Sequence, residues 1–149
     1  MTSHQALLLV EDNEDDVFLM KRALQSARIL NPLIVVGSGQ EAMDYLSGGG
    51  KFSDRATHPL PVMILLDLKL PSIFGHEVLA WIRQRKEFEA LIVIVLTSST
   101  QSRDLSRCYS LGANSYLIKP PTAEQLNALA KAFKWPWLEY EAGKDNAMG

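Results

Sequence analysis

The stretch Val62-Met63-Ile64-Leu65-Leu66-Asp67 places an acidic residue directly after five apolar ones. A short apolar run without polar alternation is typical of a strand that is buried on both faces of a parallel sheet. A carboxylate at the end of such a strand is itself partly buried, and it then requires a cation or hydrogen-bond donors nearby. Asp67 is therefore predicted to lie at a strand end beside a positively charged partner.

Four further apolar runs have the same character. They are Ala6–Val10, Leu33–Val36, Leu91–Leu96 and Ser115–Ile118. The segments between the runs carry apolar residues at helical spacing, as Val17, Met20 and Leu24 do. Two helix starts have the form of a capping box, because Ser38 and Thr122 each stand three residues before Glu or Gln. Strands that alternate with helices five times predict a doubly wound α/β sheet.

Length and composition limit the classes of protein that fit. The chain has 149 residues and 47% apolar content, which suits one domain with a sizeable core. Its 15 Lys and Arg against 17 Asp and Glu provide no broad cationic field, so direct nucleic-acid binding is disfavoured. Cys108 is the only cysteine, which fits a reducing compartment. No apolar run approaches the roughly 18 residues of a membrane span, so we expect a soluble, cytoplasmic protein.

The residues that follow the other apolar runs carry the chemistry. Glu11-Asp12 follows the first run, Thr97 the fourth and Lys119-Pro120 the fifth. Parallel sheets bind ligands at the carboxyl ends of their strands, so these side chains are expected to meet Asp67 there. Taken singly, Glu11 and Asp12 could simply cap the following helix, and Thr97 could satisfy backbone groups. Together they supply acids for a hard cation, a carboxylate nucleophile, and a hydroxyl and an ammonium for phosphoryl oxygens.

On these motifs, residues 6 to 133 resemble a two-component response regulator receiver domain. The resemblance implies a flavodoxin-like, five-stranded parallel sheet of order 2-1-3-4-5 with helices on both faces. It implies that Asp67 accepts a phosphoryl group from the phosphohistidine of a sensor histidine kinase. Mg²⁺ would be held by Asp12, Asp67 and the backbone carbonyl of Lys69, with Glu11 holding the metal through water. Such a protein is a phosphoacceptor in signalling rather than an enzyme, although it assists its own phosphorylation and dephosphorylation.

The resemblance also assigns the residues that respond to the phosphoryl group. Lys119 and Thr97 would bind its oxygens, and Thr97 with Tyr116 would act as the switch. Gly75 matches the glycine that turns the chain into the third helix, and Lys119-Pro120 matches a peptide bond that is cis in the family. Lys69, two residues after Asp67, departs from the commonest pattern, so the lifetime of the acyl phosphate does not follow from the resemblance.

The end of the chain suggests how a signal leaves the domain. Only 29 residues follow Pro120, so we expect residues 1–142 to form one receiver domain, 143–149 to form a disordered tail, and the output to come from the domain surface. Aromatic residues there are either packed or part of an interface. The predicted interface is a homodimer on the fourth helix, fifth strand and fifth helix. Its candidate aromatic residues are Phe133, Trp135, Trp137 and Tyr140.

The Gly- and Pro-rich stretch 47–61 is predicted to be an extended surface loop. Together with the single-domain length and the terminal aromatic residues, it makes the chain resemble one group of receivers in particular. That group is the single-domain response regulators of cyanobacterial and bacterial phytochrome kinases.

Two other classes share similar folds. A flavodoxin-like electron carrier needs a phosphate loop where Glu11 and Asp12 would repel the cofactor. An aspartyl-phosphate hydrolase would have its nucleophile after the first strand and a second acid two residues later, whereas the residue two after Asp67 is Lys69.

Overall fold

A computed structural model describes residues 5–98 and 102–133 and shows five strands alternating with five helices. The elements are β1 (Leu7–Val10), α1 (Glu14–Ser26), β2 (Leu33–Val36), α2 (Gly39–Ser47), β3 (Met63–Asp67), α3 (Gly75–Arg83), β4 (Ile92–Thr97), α4 (Ser102–Ser110), β5 (Ser115–Ile118) and α5 (Ala123–Phe133). Each predicted strand is present, with bounds shifted by at most one residue. In the described part of the chain, no helix has the length and apolarity needed to cross a membrane.

The five strands form one parallel sheet in the order β2-β1-β3-β4-β5, which confirms the predicted architecture. β3 lies at the centre, and its Leu66 is in register with Val10 of β1 and Val95 of β4. The carboxyl ends of these three strands therefore form one row. Asp67 is the last residue of the central strand in that row.

Alternate side chains of the central strands enter two different cores. On one face, Leu8 and Leu66 belong to the core that includes residues of α2 and α3. On the other face, Leu7 and Leu65 belong to the core that includes residues of α1 and α5. Burial on both faces is thus confirmed for β1 and β3. It is wrong for β2, where Val35 is 38% exposed because that strand lies at the sheet edge.

The stretch 47–61 differs from the extended surface loop that its composition predicts. It contains a 3₁₀ turn at Gly50–Phe52, and the Phe52 side chain is buried with its ring centroid 5.0 Å from that of Tyr45. The Tyr45 hydroxyl donates a hydrogen bond to the Pro59 carbonyl at 2.7 Å. Arg55 donates to the Leu46 carbonyl, also at 2.7 Å. The glycines permit the turn, but one aromatic side chain draws the segment inward.

The structure shows how two helix starts are capped and where Cys108 lies. The Thr122 hydroxyl accepts a hydrogen bond from the Gln125 N–H at 3.1 Å, and the Gln125 side chain accepts one from the Thr122 N–H, also at 3.1 Å. The Ser38 hydroxyl accepts from the Glu41 N–H at 3.1 Å, but the Glu41 side chain accepts from the Gly37 N–H at 2.8 Å, so only half of the predicted capping box forms there. Cys108 is buried in α4, and burial raises the pKa of its thiol. Its environment is that of a structural side chain and not of an activated nucleophile.

Arg83 donates several hydrogen bonds at the edge of the sheet that lies opposite Asp67. At the end of α3, its guanidinium donates hydrogen bonds to the carbonyls of Gly112 (2.9 Å), Phe88 (3.0 Å) and Leu91 (2.7 Å). It also donates to the Asn114 side-chain oxygen at 2.9 Å. One planar fork therefore satisfies acceptors from the two segments that precede β4 and β5.

We expect Arg83→Met to lower the free energy of unfolding by about 2–4 kcal/mol, because it leaves several partly buried acceptors without a donor. Arg83→Lys should recover little of the loss, since one ammonium cannot reproduce the fork. Urea denaturation of both variants measures the effect. Arg103→Met, at an exposed arginine of α4, is the control. Equal unfolding free energies for Arg83→Met and Arg103→Met would contradict this role.

Candidate functional site

Four of the predicted site residues meet at the carboxyl edge of the sheet. Asp67 and Thr97 are the last residues of β3 and β4, Glu11 follows β1, and Lys119 follows β5. Glu11, Asp67 and Thr97 are buried, whereas Lys119 is half-buried. The parallel order of the strands is what brings residues 11 and 119 to the same place.

The Lys119 ammonium lies at the centre of this group. Its Nζ is 2.9 Å from Glu11 Oε1, 2.9 Å from Asp16 Oδ2 and 3.1 Å from Asp67 Oδ2. The contacts with Asp16 and Asp67 are also hydrogen bonds. A single cation therefore compensates three carboxylates that come from different elements.

Three carboxylates form a cluster that suits a divalent cation. Glu11, Asp12 and Asp67 each offer an oxygen, and these oxygens lie within 4.8 Å of one another. Glu11 and Asp67 are buried, whereas Asp12 is exposed to solvent. The buried Glu11 Oε1 has the ion pair with Lys119 but no hydrogen-bond donor among the described residues. An all-oxygen, acid-rich set that leaves a buried oxygen incompletely satisfied fits a hard cation such as Mg²⁺.

Burial and charge shift the pKa values of two groups here. Burial raises the pKa of Glu11 to about 7, and the nearby Asp67 charge acts in the same direction. The contact with Lys119 only partly offsets this shift. Burial by itself would lower the pKa of Lys119, but its contacts with Glu11, Asp16 and Asp67 outweigh burial and raise it. Lys119 is thus a permanent cation, whereas Glu11 changes charge near neutral pH.

The loop after β3 holds the Asp67 carboxylate in position. Asp67 Oδ1 accepts a hydrogen bond from the Lys69 N–H at 3.1 Å. The Gly75 N–H donates to the Leu68 carbonyl at 2.9 Å, and a side chain at Gly75 would collide with the Asp67 backbone carbonyl. Gly75 therefore permits a close approach of α3 to β3. The Lys119-Pro120 peptide bond is cis, as the resemblance implies.

The predicted switch residue Tyr116 lies on β5, and the interface candidate Phe133 is the last residue of α5. Tyr116 is 36% exposed, and its ring meets the Tyr109 ring edge-on at 6.3 Å. Phe133 is partly buried against the core between α1, α5 and the sheet, as the packing alternative predicts for it. The other aromatic candidates lie outside the described residues. They are Trp135, Trp137 and Tyr140.

Asp16 is a site residue that the sequence interpretation missed. It lies in the first turn of α1, and its carboxylate reaches Lys119, which is 103 residues later in the chain. The only signal was the run of acids that opens α1, because Asp12 precedes the N-cap Asn13 and helical spacing therefore does not relate it to Asp16. The sequence offered no way to choose between Asp16 and the neighbouring acids Glu14 and Asp15.

Comparisons with known proteins agree with this geometry. The sequence profile of the family described as "Response regulator receiver domain" matches residues 7–131. The chain is 42% identical over 135 residues to the probable methanogenesis regulatory protein FilR2 of Methanothrix harundinacea, covering 89% of this chain and 83% of that protein. It is 36% identical to the response regulator Rcp1 of Synechocystis, covering 91% and 90%.

Solved structures that are similar to this chain are also response regulators. The bacteriophytochrome response regulator RtBRR superposes with a TM-score of 0.80 at 38% identity, covering 91% of this chain and 81% of that one. The phosphorylated cyanobacterial phytochrome response regulator RcpA gives 0.73 at 34% identity, covering 88% and 91%. The Mn²⁺-bound form of Rcp1 gives 0.71 at 35% identity, covering 87% and 91%.

The family match spans all five strands and nearly all of α5. The structural matches extend over most of the same region and include phytochrome response regulators. Together with the acidic cluster at the carboxyl edge of a 2-1-3-4-5 sheet, they show that this chain belongs to the response regulator receiver domain family.

Proposed function

We propose that this receiver domain accepts a phosphoryl group on Asp67 from the phosphohistidine of a sensor histidine kinase. The observation that carries the proposal is the buried Asp67 carboxylate, which lies 3.1 Å from the Lys119 ammonium and within 4.8 Å of oxygens of two other acids. A carboxylate in that position can act as a nucleophile while nearby positive charge neutralises the group that it receives. Asp67 also ends the central strand, where both neighbouring strands contribute site residues.

The transfer needs little covalent chemistry from the protein. An Asp67 carboxylate oxygen attacks phosphorus, the P–O bond forms and the P–N bond to the kinase histidine breaks. The departing imidazole nitrogen keeps the electron pair and takes up a proton. Lys119 and Thr97 bind the phosphoryl oxygens as charge spreads over them. Placement and charge therefore account for the rate, with no side chain needed as a general base for Asp67.

The acidic cluster is proposed to hold Mg²⁺ through Asp12, Asp67 and the Lys69 backbone carbonyl, with Glu11 acting through water. The bound metal supplies positive charge at the phosphoryl oxygens. The all-oxygen donor set supports this assignment, and the relative Rcp1 has been solved with Mn²⁺ bound. The exposure of Asp12 is compatible with this role, because a ligand at the mouth of the site can exchange water when the metal enters.

The kinase partner is proposed to be a phytochrome-type histidine kinase, because RtBRR and RcpA are phytochrome response regulators. FilR2 carries a different regulatory name at higher identity, so the partner must be tested directly. Incubation with phytochrome and non-phytochrome histidine kinases and labelled ATP distinguishes these two classes of partner.

Membership of the receiver family argues against the electron-carrier and hydrolase alternatives, which share the sheet architecture without the receiver motifs.

The output is proposed to be a change of surface near Thr97 and Tyr116. Phosphoryl binding draws the Thr97 hydroxyl inward, and Tyr116 follows into the space behind it. Tyr116 is partly exposed and in contact with Tyr109, so an inward movement would alter the surface shared by α4 and β5. That surface, with α5 and the segment from Phe133 to Tyr140, is the proposed homodimer face.

Asp67→Asn should stay folded but abolish phosphorylation, because the amide lacks the nucleophilic oxygen anion. A cognate kinase and labelled ATP, followed by measurement of the hydroxylamine-labile label on the receiver, test this. Glu89→Gln removes an exposed acid away from the site and should accept phosphate like the wild type. Undiminished label on Asp67→Asn would show that another residue is the acceptor.

Mg²⁺ should bind about tenfold more tightly at pH 8 than at pH 6, because Glu11, whose pKa is about 7, is mostly neutral at the lower pH and ionised at the higher one. Titration followed by amide NMR shifts measures the affinity. In Glu11→Gln the affinity should be weaker and the pH dependence should largely disappear.

Two variants in neighbouring positions test the ligand assignment in the same titration. Asp12→Asn should weaken Mg²⁺ binding by about tenfold or more, whereas Asp15→Asn removes an equal charge from the first turn of α1 and should change it little. The assignment of Asp12 is wrong if both variants bind Mg²⁺ equally well. The role given to Glu11 is wrong if Glu11→Gln keeps the full pH dependence.

The homodimer should depend on the terminal aromatic segment and tighten when Asp67 is phosphorylated. Sedimentation over a concentration series, with and without phosphorylation, measures the association of the intact protein and of a chain ending at Lys134. The truncated chain should associate at least tenfold more weakly, since it loses the aromatic anchors. A protein that is monomeric in every condition would contradict this proposal. So would a dimer whose association is unchanged by the truncation.

A further inference from the structure

The contact between Lys119 and Asp16 has no part in the phosphoryl transfer as proposed. Lys119 has three ammonium N–H groups, and three carboxylates already lie within 3.1 Å of its Nζ. Two of these contacts, with Asp16 and Asp67, are hydrogen bonds. An oxygen of an incoming phosphoryl group that approaches Nζ therefore competes with these carboxylates for the ammonium.

Of the three acids, Asp16 is the one that can lose its contact with Lys119 with the smallest loss of free energy. Its side chain is 34% exposed, compared with 2% for Glu11 and 5% for Asp67. Water can replace Lys119 on a carboxylate that is already partly hydrated. Loss of the ammonium would instead leave Glu11 or Asp67 as a buried, uncompensated charge.

Asp16 is also held in a defined position. Its backbone N–H donates a hydrogen bond to the Asn13 side chain at 2.9 Å, which caps α1. An acid in the first helical turn is further stabilised by the positive end of the helix dipole. The carboxylate thus stands opposite Lys119 on a rigid element, at an ion-pair distance of 2.9 Å.

We infer that Asp16 is a positioning residue that holds Lys119 in the unphosphorylated domain and competes with the phosphoryl group for its ammonium. The inference rests on the proposed phosphoryl acceptance at Asp67. It predicts opposite effects on the two ligands of the site when Asp16 loses its charge. Lys119 becomes freer to bind an anion, and at the same time it competes more strongly with Mg²⁺ for Glu11 and Asp67.

The experiment uses the full chain and beryllofluoride, which mimics a phosphoryl group on a carboxylate. Beryllofluoride is titrated at saturating Mg²⁺ and followed by amide NMR shifts. Asp16→Asn should bind it about threefold to tenfold more tightly than the wild type. Titrated with Mg²⁺ alone, the same variant should bind the metal more weakly than the wild type. Asp16→Glu, which keeps the carboxylate, should restore affinities close to those of the wild type.

Two controls separate the contact from a general charge effect. Asp15→Asn removes the same charge one residue away, and within the described part of the chain no ion pair involves Asp15. It should change beryllofluoride affinity by less than about twofold. In a Lys119→Met background, measured at higher beryllofluoride concentrations, Asp16→Asn should bring no gain.

The possible outcomes separate a failure of this inference from a failure of the proposed phosphoacceptor function. Beryllofluoride binding by the wild type, lost in Asp67→Asn, supports the phosphoacceptor site whatever Asp16 does. Equal affinities in Asp16→Asn and Asp15→Asn, or a gain that persists without Lys119, would overturn the role of Asp16 alone. If the wild type fails to bind beryllofluoride with Mg²⁺, the proposed function and the inference both fall.

Discussion

The balance of charge around the Lys119 ammonium is the constraint on which the site depends. Glu11, Asp16 and Asp67 come from different elements of the fold, yet each places an oxygen within 3.1 Å of the same nitrogen. Without the lysine, two buried carboxylates would face each other in a medium that solvates them poorly. With it, the group still carries an excess of negative charge, which leaves the site ready for a divalent cation.

The sheet provides the rigidity that this balance requires. β3 is paired on both sides, so the Asp67 backbone cannot shift without disturbing two strand ladders. Gly75 lets α3 approach the Asp67 carbonyl closely, which restricts the loop that follows. At the opposite edge, Arg83 joins the loops that precede β4 and β5. The hydrogen bonds of Arg83, which stabilise the loops, and the acidic site around Asp67 are therefore separated by the full length of the strands.

The relatives match this chain in overall fold, as the phytochrome response regulators RtBRR and RcpA do. The site itself is described by the contacts within this chain. They include the ion pair of Asp16 with Lys119 and the hydrogen bond from the Lys69 N–H to Asp67. A receiver can thus keep one chemistry while neighbouring charges adjust how strongly it holds each ligand.

The sequence by itself determined the alternation of strands and helices, the caps at Ser38 and Thr122 and the acid that ends the central strand. These follow from local patterns, because apolar runs and capping residues act over a few positions. Only the tertiary structure decided which side chains touch. The exposure of Val35 depends on β2 being an edge strand, and the inward turn at Phe52 depends on the aromatic partner Tyr45. The choice of Asp16 over its acidic neighbours depends on the direction of α1 relative to Lys119, and that direction arises from the packing of elements far apart in the chain.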